Sequence, residues 1–358
     1  MPSLKEIKGR INSISSTLAI TSAMKMVASA KLQKAQMAIQ NMLPYERRLY
    51  SMLLDLMGAM NISAAASEDG SVRGSGSAER GFDQSGDRLS LSNRHDLAGM
   101  DGAYSLMAQR EVRKVAIVAF ASNSSLCGAF NSNAIREATA VINEYRASGL
   151  RDSDIVVYSV GRKMAEAMRK LGFPSPADFT KMSDSPSYEA ASALAQELLD
   201  GFVSGRFDKV ELVYNHYKST SSQPTTRQTY LPLSLADATA DLQAGEIADS
   251  ASESDTNRSA EPVGAPVVRQ GSPTTEDLIV EPSKEELIAT LLPKVIRLRI
   301  FTTLLDSAAA EHAARTVAMQ LATDNGNDLL QELTLEYNKG RQQKITSEIL
   351  DLVGGSMQ

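Results

Sequence analysis

The feature that most constrains this chain is a long apolar spacing at its N-terminus. Steps of three and four residues from Leu4 visit Ile7, Ile11, Ile14, Leu18, Thr21, Lys25, Ala28, Leu32, Ala35, Ile39 and Met42. Ten of these twelve positions are apolar. A stripe this narrow and long is a seam for a partner helix, because the face of an ordinary globular helix is broader. Two positions, Thr21 and Lys25, break it inside the segment ITSAMKMV. Such a break either fixes the register of a helix pair or marks where another partner takes over the contact. Pro44 removes a backbone donor and is expected to kink the helix before YERRLYSMLLDLMGAM resumes the pattern.

The far end of the chain supplies a partner. Pro282 precedes Ser283, which with Glu286 reads as a capping box, Ser283 as N-cap and Glu286 reaching back to it. From there to Val353 only Pro293, Gly326 and Gly340 interrupt good helix formers. Some 70 residues at ~1.5 Å rise would span roughly 105 Å. Two or three helices broken at Pro293 and Gly326 are the alternative, but neither break has loop residues around it. Two long helices at opposite ends of one chain pair most simply in antiparallel fashion.

Between them, residues 112–235 alternate apolar runs with helical patterns. VRKVAIVAF, DIVVYSVG, KVELVYNHYKS and RQTYLPL read as strands, and three helical segments separate the first three of them. Strands apolar on both faces and alternating with helices imply a mainly parallel, doubly wound sheet. The expected architecture is α/β plus long α, with five parts. These are an N-terminal coiled-coil helix (1–60), a polar flexible insertion (61–111), the central α/β domain (112–235), an acidic flexible insertion (236–277) and a C-terminal coiled-coil helix (278–358). The 61–111 stretch has linker chemistry. Residues 236–277 hold nine acids against Arg258 and Arg269.

Doubly wound sheets often bind nucleotides, which makes phosphate-binding motifs the first chemistry to test. No phosphate loop of the G-x-x-x-x-G-K-[ST] type occurs, and no G-x-G-x-x-G follows a strand. Ser122-Asn123-Ser124-Ser125-Leu126-Cys127-Gly128 lies between the first strand and its helix and offers backbone amides to an anion. It lacks the spaced glycines and a Lys, so a tight strand-to-helix turn is the better reading. Cys127 with His216 or His312 as base would be the only nucleophile, but the three His of the chain lie in no motif. A small buried Cys fits better, and no zinc spacing exists. The expectation is a chain without catalytic residues, cofactor or metal. Its net charge of −6 argues against a nucleic-acid surface. One Cys and no long apolar run point to a soluble chain in a reducing compartment.

Three segments resemble one family, the gamma subunit of the rotary F-type ATP synthase. SLKEIKGRINSISSTLAITSAMKMVASAKLQKAQ is similar to its opening helix, SSLCGAFNSN to its central motif, and EHAARTVAMQLATDNGNDLLQELTLEYNKGRQQKITSEILDLVGG to its closing signature. The resemblance implies an antiparallel, left-handed coiled coil acting as a non-catalytic shaft inside a hexamer of alpha and beta subunits. It implies further partners in the epsilon subunit and the ring of c subunits, with one copy per complex. The expected location is the cytoplasmic side of a bacterial inner membrane, peripheral and held only through the complex. By position, the resemblance makes Met24, Lys25, Arg315, Arg341, Gln342, Thr346 and Glu348 contacts to the beta subunits. The central motif departs from the family's usual Asp-Arg-Gly, reading Asn123-Ser124-Ser125 before Leu126-Cys127-Gly128. Chloroplast members carry a cysteine pair as a redox switch, which one Cys cannot form. An α/β enzyme with helical extensions and a passive coiled-coil adaptor are the competing readings. Absence of a phosphate loop opposes the first, and the matched terminal signatures oppose the second.

Overall fold

A computed structural model describes residues 3–59, 106–233, 281 and 283–355. Most of the two polar stretches, 61–111 and 236–277, therefore lies outside the described residues. The element order is α1 (Leu4–Ala59), β1 (Val115–Phe120), α2 (Phe130–Ala147), β2 (Ile155–Val160), α3 (Arg162–Lys170), α4 (Thr180–Asp184), α5 (Tyr188–Val203), β3 (Lys209–Asn215), β4 (Thr225–Leu231) and α6 (Lys284–Gly355). The 72 residues of α6 reach about 108 Å at 1.5 Å per residue, and the 56 of α1 about 84 Å.

The helical pattern resumes after Pro44 as expected, and α1 is helical on both sides of the proline and through it. Pro44 is exposed, and Met42, Leu43, Glu46 and Arg47 around it are partly buried. Packing on both sides holds the segment helical, and the lost hydrogen bond falls on the solvent side. Pro293 and Gly326 likewise lie inside one continuous α6. At its start the backbone N–H of Glu286 donates to Ser283 Oγ at 3.1 Å, the forward half of the expected capping box.

The two long helices run antiparallel. Leu4 lies against Gly340, Leu18 against Gly326, Thr21 against Thr323, Glu46 against Thr302 and Tyr50 against Arg299. All twelve seam positions of α1 are buried or partly buried. The facing stripe on α6 is Met319, Thr323, Gly326, Leu330, Leu333, Tyr337 and Gly340. Small residues set the separation. A Cβ on Gly326 would sit 2.6 Å from Leu18 Cδ2, and one on Gly340 3.2 Å from Leu4 Cδ2. Where the seam breaks at Thr21, its hydroxyl oxygen accepts from the Thr323 hydroxyl at 3.1 Å. That bond makes this half of the break a register lock.

The sheet order is β2-β1-β3-β4, with β1 parallel to both β2 and β3 and β4 antiparallel to β3. Alternation along β1 separates two cores. Val115, Ile117 and Ala119 pack under α2 and α3, joined by Ala138, Ile142, Met164 and Met168. Ala116, Val118 and Phe120 face the other way. They meet Leu194, Leu198 and Phe202 of α5, Leu53 and Leu56 of α1, and Ile288, Leu292, Ile296 and Ile300 of α6. The helix pair therefore forms part of one of the two layers covering the sheet. Leu106 joins this core, and its carbonyl accepts the Leu233 N–H at 3.0 Å.

Gly326→Leu should force the helices apart at the level of Leu18 and lower stability by about 1–3 kcal/mol. Adding Leu18→Ala should return part of that loss. Equal loss in the single and double variants, measured by denaturant unfolding, would contradict the close packing at this level.

Candidate functional site

Two regions of the helix pair carry the candidate residues, a neck beside the sheet and a projecting tip. The neck is built on the turn between β1 and α2. Asn131 closes it, accepting the Ser122 N–H at 3.0 Å and donating to Ser124 O at 3.1 Å. Asn123 is buried, donates to Thr180 O at 2.7 Å and accepts the Arg162 N–H at 2.8 Å. Leu126 and Gly128 take left-handed backbone φ angles of 68° and 59°. Cys127 is buried with Phe130 and Ala310. The turn is thus tied by its own side chains, as a tight strand-to-helix connection.

Arg315 reaches this turn from α6. Its Nη2 donates to Ser124 Oγ at 2.7 Å, and its Nη1 pairs with Glu311 Oε1 at 2.7 Å. The two ionic side chains are only 12% and 10% exposed. Removing Arg315 would leave Glu311 largely buried without its cation, so part of any loss at Arg315 is structural.

Met24 and Lys25 sit half-buried on α1, close to the level of Thr21 and Thr323. Beyond Gly340, α6 continues past the described start of α1. Arg341, Gln342, Thr346 and Glu348 are all exposed there, together with Ile345, Ile349, Leu350, Leu352 and Val353. Thr346 donates to Gln342 O at 2.9 Å, and Lys344 lies 3.7 Å from Glu348. The seven candidates are therefore spread along the helix pair. At 1.5 Å per residue, Arg315 and Arg341 are separated by roughly 39 Å of helix. Among the described residues, no group of three His, Cys, Asp or Glu is placed to hold a metal ion. No described helix is long and apolar enough to cross a membrane.

A family model described as ATP synthase matches residues 3–357. The ATP synthase gamma chain of Phocaeicola vulgatus is 47% identical over 357 residues, covering 100% of both chains. That of Bacteroides thetaiotaomicron is 45% identical over 358 residues, again covering 100% of both. The chain belongs to the ATP synthase gamma-chain family. Gamma chains are the non-catalytic stalk subunits of ATP synthase. A more distant gamma chain, from Flavobacterium johnsoniae, is 35% identical over 356 residues and covers 99% of this chain and 98% of its own. A solved structure of the Euglena gracilis mitochondrial ATP synthase (OSCP, F1 and c-ring) contains a chain with the same fold. It matches at TM-score 0.52 and 18% identity, covering 99% of this chain and 93% of that one.

Sequence reasoning weighed His216 and His312 only as bases for Cys127 and did not foresee the contacts they make in the neck of this gamma chain. His216 Nδ1 lies 2.6 Å from Asp306 Oδ2, and the Tyr217 N–H donates to Asp306 Oδ1 at 2.9 Å. The bond to Asp306 raises the His216 pKa, against burial and the nearby Lys218. Burial, with Arg315 and Lys31 adding to it, pushes His312 down to about 4. Burial lifts the Glu311 carboxyl, and Arg315 opposes that shift. Neither His lies in a sequence motif, so only the packing of α6 against the sheet reveals these surroundings.

The two histidines act on stability with opposite signs. Between its ordinary value of 6.5 and about 4, His312 is protonated in the unfolded chain and neutral in the folded one. Its contribution is complete above 6.5 and is lost as pH falls toward 4. The contribution of His216 is complete below 6.5 and is lost as pH rises through its raised pKa, and half-exposure keeps it small. His312→Gln should therefore flatten the acid limb of the thermal midpoint against pH. An acid limb of unchanged slope in the variant would contradict the assignment.

Proposed function

We propose that this chain is the rotating central shaft of an F-type ATP synthase, coupling ion flow through a membrane ring of c subunits to ATP synthesis or hydrolysis on beta subunits. The observation that carries this reading is the antiparallel pair of α1 and α6, with the α/β domain at one end and a bare helical tip at the other. A shaft must be long, stiff and asymmetric, because only an asymmetric body turning inside a ring presents different surfaces to its sites in sequence. The helices supply the length, the side-mounted sheet the asymmetry.

In this reading the alpha and beta subunits surround the helix pair as a hexamer. The α/β domain meets the epsilon subunit and the c ring, with one copy of the chain per complex. The complex holds the chain at the cytoplasmic face of the bacterial inner membrane as a peripheral subunit. Met24, Lys25, Arg341, Gln342, Thr346 and Glu348 face the moving parts of the beta subunits, and Arg315 contributes from the neck. The exposed apolar residues near the end of α6 then serve as a bearing surface, shielded from water by the hexamer.

Replacing Arg341 and Gln342 together by Ala removes up to five guanidinium N–H donors and an amide from the tip. The assembled enzyme should keep its subunit composition and lose turnover. Unchanged ATP hydrolysis in the double variant would remove both residues from the mechanism. Hydrolysis of ATP by the purified chain alone would overturn the shaft reading itself.

A further inference from the structure

The loop joining β3 to β4, residues 216–224, lies at the junction of the sheet with both long helices. It is folded tightly on itself. The His216 N–H donates to Pro224 O at 2.9 Å, and Ser219 and Ser222 exchange backbone bonds of 3.1 and 3.2 Å. Gln223 Nε2 donates to Ser219 O at 2.9 Å and Thr220 O at 2.6 Å. At its root Asn215 is buried, donating to Phe130 O at 3.1 Å and accepting the Thr225 hydroxyl at 2.7 Å. The loop is therefore anchored to the sheet and to α2.

Its first two residues grip both halves of the shaft. On α6, one carboxylate, Asp306, takes His216 Nδ1 on one oxygen and the Tyr217 N–H on the other. On α1, Gln36 Nε2 donates to Tyr217 Oη at 2.6 Å. The Tyr217 ring fills the space between, against Leu32 of α1 and Ala309, Ala310 and Ala313 of α6. Other bonds from the α/β domain, such as those of Ser124 with Arg315, Gln196 with Arg297 and Tyr230 with Ile296 O, reach α6 alone.

We propose that the His216–Tyr217 segment is a torque strap, which locks the α/β domain to α1 and α6 together. The proposal rests on the shaft reading above. A domain fastened to one helix of a pair drives that helix and leaves the other to follow through the seam. A fastening to both makes the pair turn as one body. The Asp306 contacts suit that load, because charge-assisted hydrogen bonds are shorter and stronger than neutral ones. Gln36, Tyr217 and Asp306 are positioning residues, remote from any reacting atom.

The test uses the complete ATP synthase reconstituted in lipid vesicles, with ATP hydrolysis and ATP-driven ion pumping measured on the same preparation. Tyr217→Phe keeps the ring and removes the hydroxyl, with its bond to Gln36 and its 3.4 Å contact to Thr220 inside the loop. Asp306→Asn keeps an acceptor and removes the charge. Each should leave subunit composition and unloaded hydrolysis within about twofold of the parent, while ions pumped per ATP fall at least twofold against a gradient. Gln36→Leu removes the same bond between α1 and the loop and leaves the Thr220 contact. It should therefore reproduce the pumping loss of Tyr217→Phe, and combining the two should add little. Pumping per ATP equal to the parent in Tyr217→Phe and Asp306→Asn would overturn the strap. If the parent enzyme containing this chain hydrolyses ATP but pumps nothing, the shaft reading fails instead, which keeps the two failures distinct.

Discussion

Everything in this structure depends on the seam between α1 and α6. Isolated helices gain little from propensity alone, and most of their stability in proteins comes from packing an apolar face. Here the face is narrow and lined in part by small residues, so the two backbones approach closely. Gly326 takes Leu18, Gly340 takes Leu4, and Ala28, Ala309 and Ala313 are almost fully buried. The same seam extends to the sheet, where Leu53 and Leu56 of α1 and Ile296 and Ile300 of α6 become part of the domain core. The helix pair and the domain thus share one hydrophobic layer at this end.

Polar contacts then index what the apolar contacts hold together. Thr21 with Thr323, Glu46 with Thr302 and Tyr50 with Arg299 tie the register of the pair at three levels. In the neck, Asp306 and the Glu311–Arg315 pair connect α6 to two different turns of the α/β domain. Leaving one partner of such a buried contact unsatisfied costs more than making the contact gains, so these groups penalise alternative registers.

Much of the fold was legible because its signals are periodic and local. The step of three and four residues on α1 placed all twelve seam positions on the buried side, where the structure has them. The apolar runs at 115–120 and 155–160 became two parallel neighbours of the sheet. Pro44 did not end α1, and the helical pattern read after it is part of the same helix. The short α4 has too few residues to show a period, and β4, read as a strand from RQTYLPL, gave no sign of its antiparallel pairing at the sheet edge. The candidate site was legible only in part. Arg341, Gln342, Thr346 and Glu348 lie on an exposed helix where spacing carries no information about partners, so the family resemblance alone singled them out. His216 and Tyr217 are separated from Asp306 by some ninety positions of sequence and meet it only in the folded chain.

That the helix pair turns as a shaft is tested most directly by watching it turn. A probe attached through a cysteine introduced on the exposed face of the α/β domain, with the alpha–beta hexamer fixed to a surface, reports rotation in single molecules. Cys127 is the chain's one native thiol and is buried, so labelling can be confined to the introduced site. The predicted result is stepwise rotation in one direction, dependent on ATP, about the axis of α1 and α6. A probe that stays fixed while the same molecules hydrolyse ATP would contradict it.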